Sequence, residues 1–205
     1  MSQSIKKITK ITMISAIPLL AIAFVTLETT LQASAVTTSV NSSISSIISV
    51  FTSSGTVTVN ATPSAGGVQT IANDVITVST NDVAGYTLKL NETGASSTLV
   101  SGGNSIAASS GTLAAPVAQA VNTWGYRVDS IGGFGAGPTG PVSNTAISGA
   151  IKFAAVPVTA SPDTIKTTAT TATNDTTSVW YGVAVNTATP SGAYTNSVTY
   201  TAIAN

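Results

Sequence analysis

The stretch "YTLKL", residues 86–90, places Tyr86, Leu88 and Leu90 at alternate positions with Thr87 and Lys89 between them. Successive side chains of a β-strand point to opposite faces, so this pattern predicts a strand with one buried apolar face and Lys89 in water. The same parity recurs in "WGYRV" (124–128), where Trp124, Tyr126 and Val128 oppose Arg127. Lys152 lies between Ile151 and Phe153, and Lys166 follows Ile165. All four cations beyond residue 35 therefore fall on the expected solvent face of half-buried antiparallel strands.

Outward from this stretch the chain is dominated by Thr, Ser and Val, whose branched side chains suit a pleated surface better than a helix. Strands are expected at 56–60, 74–80, 86–91, 122–129, 151–156, 164–168, 178–186 and 193–203. Turn signals separate them, among them Pro63 to Gly67, Asn81-Asp82, Ser101 to Asn104 and Pro190-Ser191-Gly192. Many short strands punctuated in this way predict an all-β fold, an antiparallel β-sandwich over residues 55–205. The closing "SVWYGVAVNTATPSGAYTNSVTYTAIAN" (178–205) reads as a hairpin turning at Pro190-Ser191-Gly192. Residues 101–121 and 130–149 read as long connections. Residues 36–54 form an N-terminal arm or linker in which Val40, Ile44, Ile47, Ile48 and Phe51 keep helical spacing, leaving short helix, edge strand and partner-ordered arm as alternatives.

At the N-terminus Lys6, Lys7 and Lys10 precede the apolar run from Ile11 to Leu27, and Ala33-Ser34-Ala35 follows. A basic region, an apolar core and small residues at a cleavage point predict a secretory signal peptide helix over 1–35. The alternative is an uncleaved anchor, the one route by which this chain would meet a membrane. The expected location is secreted, extracellular and at the cell surface.

Composition narrows the chemistry. The 205-residue chain has no Cys and no His, which excludes Ser-His-Asp and Cys-His machinery and ordinary zinc sites. Residues 36–205 carry four cations against six acids, net −2, and four isolated cations cannot displace the counterions of a nucleic acid. Asp129, beside Trp124 and Tyr126, is the pick for a glycosidase-like carboxylate, but it sits before Ser130 and Gly132-Gly133, where a turn-forming Asp is common. Gly135 to Gly140 matches G-x-G-x-x-G without the following helix that a phosphate cradle needs, so it reads as a loop. The chain is read as no enzyme and as needing no cofactor. Calcium is the one metal considered, through Asp74, Asp82 and Asp175 of three Asn-Asp pairs, although no dense acidic loop supplies its usual six or more ligands. Most aromatics lie on the apolar parity of their strands and read as core. Adjacent Trp180 and Tyr181 point to opposite faces, which leaves Trp180 on the face away from the core, exposed or at an interface.

"VITVSTNDVAGYTLKLNE" (75–92) and "PSGAYTNSVTYTA" (190–202) resemble the two conserved parts of WxL-type and WxL-like bacterial surface proteins. Tyr86-Thr87-Leu88 and Tyr200-Thr201-Ala202 stand where that family has Trp-x-Leu. The resemblance implies a β-rich domain held noncovalently on the bacterial cell wall, with a cell-wall polymer or other surface proteins as partners. Tyr86, Leu88, Trp180, Tyr194 and Tyr200 are then the candidate binding residues. The function expected is that of a noncatalytic structural or adhesive surface protein. The alternatives are an extracellular glycan-binding module and the subunit of a surface fibre built by strand addition through the arm.

Overall fold

The structure, a computed structural model, describes residues 36–205. The signal-peptide helix expected over 1–35, and its cleavage, lie outside the described residues. Val36 to Ile47 form no regular structure, and the compact unit begins at Ser43. No described residue is helical. Along the chain run β1 (Ile48–Thr52), β2 (Val68–Thr80), β3 (Tyr86–Glu92), β4 (Leu99–Ser101), β5 (Asn104–Ala108) and β6 (Val117–Ala118). Then come β7 (Thr123–Val128), β8 (Val142–Thr145), β9 (Lys152–Phe153), β10 (Asp163–Thr167), β11 (Ala172–Val185) and β12 (Val198–Ala204).

Seven strands make a mixed sheet in the order β1-β2-β11-β7-β5-β4, with β8 also on the edge of β2. A three-stranded antiparallel sheet follows the order β10-β3-β12, and β6 pairs with β9. The antiparallel expectation fails at one place: β5 and β7 run parallel. A parallel pair needs a crossover of a dozen residues or more, and residues 109–122 supply it. They were expected as plain connection, yet they also carry β6. The other expected connection, 130–149, contains β8, and of the strand expected at 151–156 only β9 forms.

The hydrophobic core draws on both sheets, as the alternating pattern predicts. Ile76 and Val78 of β2, Tyr126 of β7, and Val179 and Tyr181 of β11 pack with Tyr86, Leu88 and Leu90 of β3 and Ile165 of β10. Burying each large side chain of this set contributes on the order of 1.5–3 kcal/mol.

Four expectations are corrected. The closing stretch is no hairpin, because both edges of β11 are occupied, by β2 and by β7. The chain after Pro190 instead crosses to the other sheet, where β12 pairs with β3. Residues 56–60 form no strand although their burial alternates as a strand's would, because the edge of β2 is already taken by β1 at Ile76–Thr80 and by β8 at Gln69–Ile71. Residues 101–121, expected as a connection, contain β5, while the arm takes its edge-strand alternative, as β1.

The fourth correction concerns the back face of the large sheet. Arg127, expected in water, and Trp180, expected exposed or at an interface, are 0% and 6% exposed. They lie opposite each other on β7 and β11, next to the facing pair Gly125 and Gly182. The missing side chains of that pair leave a flat notch into which Phe153 seats. A Cβ on Gly182 would stand 2.5 Å from the Phe153 ring, and one on Gly125 would stand 2.4 Å from the Ala154 carbonyl oxygen. Phe153, Ile71 and Trp180 form a second apolar cluster there. Gly125→Ala is therefore expected to destabilise the protein by about 1–3 kcal/mol by forcing Ala154 off the sheet, read as a lower urea midpoint at unchanged slope.

Candidate functional site

Tyrosine hydroxyls join the two sheets in three places. Tyr126 of β7 donates to Asp163 Oδ2 of β10 at 2.5 Å. Tyr86 of β3 donates to Asp175 Oδ2 of β11 at 2.8 Å, and the other oxygen of that carboxylate takes Lys166 Nζ of β10 at 2.6 Å. The hydroxyls of Tyr181 of β11 and Tyr200 of β12 are hydrogen-bonded to each other at 2.5 Å, either serving as the donor. Burial pushes all four of these phenols above their ordinary range, and the facing carboxylates push Tyr86 and Tyr126 further. Burial would also raise Asp175, but the bonds from Lys166 and Tyr86 outweigh it and hold this carboxyl below the usual range.

The candidate binding residues divide accordingly. Tyr86 and Leu88 are wholly buried, and Trp180 nearly so, so none of the three offers a surface to a ligand. Tyr200 is half-buried and spends its hydroxyl on Tyr181. Tyr194 is half-buried, and its hydroxyl donates to the Pro190 carbonyl at 2.8 Å. The register of β12 on β3 sets Tyr200 opposite Leu90 and Ala202 opposite Leu88, which brings the two Tyr-containing motifs onto neighbouring strands.

The three acids considered for calcium are not brought together. Asp74 is buried and accepts from Ser53 Oγ at 2.8 Å and from the Ser54 N–H at 3.2 Å, holding the end of β1. Asp82 caps a turn through the Ala84 N–H. Asp175 holds Tyr86 and Lys166 as above. Among the described residues no three acids, His or Cys cluster in a way that could hold a metal ion. Asp129, the glycosidase pick, accepts from Arg127 Nη2 at 3.1 Å. The same guanidinium donates to the carbonyls of Phe134 and Gly135 at 3.3 and 3.1 Å and lies 5.8 Å from the Phe134 ring. The glycine-rich loop thus turns carbonyl oxygens toward a cation, the reverse of a phosphate cradle.

Two shallow depressions of about 400 and 460 Å³ are lined by residues 47–49, 79–81 and 171–173, and by 112–114, 131–132 and 163–164. Neither has an aromatic wall on which a sugar ring could stack. Among the described residues the large apolar ring left in water is Phe51 on β1, 66% exposed. Reading the sequence missed it as a surface feature, since it was one aromatic among many. The pattern that marks it is the row of apolar residues before it, Val40, Ile44, Ile47 and Ile48. No family profile, curated protein or solved structure matches this chain.

Tyr126→Phe is expected to cost about 1.5–3 kcal/mol in denaturant unfolding, because it strips a bond to a carboxylate. Tyr194→Phe, on a half-exposed loop, should stay within about 0.5 kcal/mol of the parent.

Glu92 is wholly buried at the end of β3. Its Oε1 takes one 3.1 Å bond from Asn196 Nδ2, whose two protons also serve the carbonyls of Ser96 and Thr98, and its Oε2 has no partner. Burial pushes this carboxyl up to about 7, the Asn196 bond offsetting part of the shift. The folded state then binds the proton more tightly than the unfolded one, whose pKa is about 4.3. Glu92's contribution is therefore largest below the unfolded pKa and falls away as pH rises to about 7. Urea midpoints measured from pH 4 to 8 should show this fall in the parent relative to Glu92→Gln, which carries no titrating carboxyl.

Proposed function

We propose that this chain is an exported β-sandwich that acts as a noncatalytic structural or adhesive protein of a bacterial surface, held noncovalently on the cell wall in the manner of WxL-like proteins. The observation that carries the reading is the pairing of β3 with β12. The two segments on which the resemblance rests, more than 90 residues apart in sequence, become one two-stranded platform with Leu88 against Ala202 and Leu90 against Tyr200. A noncatalytic role is supported by the engagement of Asp74, Asp129, Asp163 and Asp175 in structural bonds. The glycan-binding alternative loses its main support with Trp180, which lies in the second apolar cluster.

Incubation of the protein with isolated bacterial cell walls, followed by sedimentation, tests the proposal. The bound fraction should exceed that of a wall-free control and should fall with Tyr194→Ala and Tyr200→Ala, which alter the half-exposed rings of the platform side. Equal pelleting with and without walls would overturn it.

A further inference from the structure

We infer that the arm before β1 docks on a second copy of this chain, adding a strand beside residues 57–61 of that copy. The acceptor is an extended segment with no ladder. From Val57 through Ala61, no backbone N–H or C=O has a hydrogen-bond partner among the described residues. Val57, Val59 and Ala61 nevertheless pack on the core, while Thr58 and Asn60 face water. A segment fixed by its side chains with its polar backbone free is the condition for β-augmentation, in which main-chain bonds supply affinity.

The donor is the arm, residues 36–47. Val36, Val40 and Ile44 are 87–89% exposed, and the backbone of residues 36–44 has no hydrogen-bond partner among the described residues. Extended, the arm carries Val36, Thr38, Val40, Ser42 and Ile44 on one face and Thr37, Ser39, Asn41, Ser43 and Ser45 on the other, so its three apolar residues share a face at every fourth position while the opposite face is wholly polar. Exposed edges are commonly protected by charge, yet no Lys, Arg, Asp or Glu occurs from Thr29 to Asn73.

Geometry selects a second copy over the same chain. Asn81 pins the root of the arm, its Oδ1 accepting from the Ile47 N–H at 2.7 Å and its Nδ2 donating to the Ser45 carbonyl at 3.1 Å. Asp74 pins the other end of β1 through Ser53 and Ser54. Val57 lies beyond that second latch, and the nine residues from Ser46 to Ser54, at roughly 3.3 Å each, separate it from the first, so the nine arm residues 36–44 would be used up in folding back before they could pair. Donor and acceptor thus sit at opposite ends of β1. A contact between unlike patches of identical chains is heterologous, and its repetition gives an open chain of subunits.

This deepens the structural reading of the surface protein and rests on it only for its setting, because cell-wall sedimentation and self-association are read in separate experiments. Hydrogen exchange on protein produced from the full chain tests it across a concentration series. Dilute protein should exchange freely at residues 37–46 and 57–61. As assemblies form, arm amides and alternate amides of Val57–Ala61 should slow together by about tenfold or more. Val40→Asp with Ile44→Asp should abolish both effects while leaving β2 and β11 protected, which checks the fold. Isotope-labelled double variant mixed with unlabelled parent should regain protection at 57–61 alone, since its acceptor remains intact. Protection of 57–61 in dilute monomer would overturn the inference, as would assembly without it or free exchange at every concentration.

Discussion

Phenolic hydroxyls hold the two sheets of this chain in register. With 7% charged residues and no cysteine, the sequence has few other means of linking one sheet to another. Tyr126 reaches from the large sheet to Asp163, while Tyr86 and Tyr200 reach from the small sheet to Asp175 and Tyr181. A phenol suits this work because its ring fills core volume while its tip satisfies a polar partner at the core's margin. Each bond contributes on the order of 1 kcal/mol net, more where the partner is charged, but leaving one unmade at that depth costs the desolvation of both groups. The bonds therefore fix which way the sheets sit on each other more than they add to total stability. Lys166 completes the arrangement by neutralising Asp175 on its outer side.

The second constraint is that the large sheet is covered on both faces. A strand of a one-sided sheet alternates core and water, whereas β11 is buried at every residue from Val179 to Val185. Gly125 and Gly182 make this coverage feasible by letting Phe153 and Ala154 approach the backbone. Arg127 then becomes an interior cation that gathers the chain around it, from Asp129 through the carbonyls of Phe134 and Gly135. A buried guanidinium without those oxygens would be very costly, so the glycine-rich loop and the arginine are one device.

These two constraints explain what could be read from the sequence. Alternation in 86–90 located β3 and its inward set correctly, and the same rule placed Tyr126 and Trp124 on the core face, because those side chains look toward the other sheet. It failed for Arg127 and Trp180 because parity says which face a residue is on, and not whether that face is covered. The local clue was a facing pair of glycines, invisible until the register of β7 on β11 is known. The hairpin expected at 178–205 failed for a similar reason, since local turn chemistry at Pro190-Ser191-Gly192 cannot report that β11 already has two neighbours. Residues 56–60 have the composition of a strand and lack only a free edge. The adjacency of β3 and β12 depends on the chain crossing between the sheets after Pro190, which no local pattern reports.

Aromatic burial also decides what kind of recognition this surface can support. A protein that binds through side chains displays rings or charges in a concave site, and here nearly all rings face inward while Asp175 and Lys166 neutralise each other. Over 36–44 and 57–61 the backbone has no partner among the described residues, and Val36, Val40 and Ile44 stand in water. Main-chain groups carry little sequence information, so selectivity along such an edge depends on register. Register in turn is set by which alternate side chains find apolar cover. The arm, apolar at every fourth residue, fits only those alignments that place Val36, Val40 and Ile44 inward together. A neutral, thinly charged chain can discriminate in this way without a pocket, and the spacing of its few branched side chains then matters more than their chemistry.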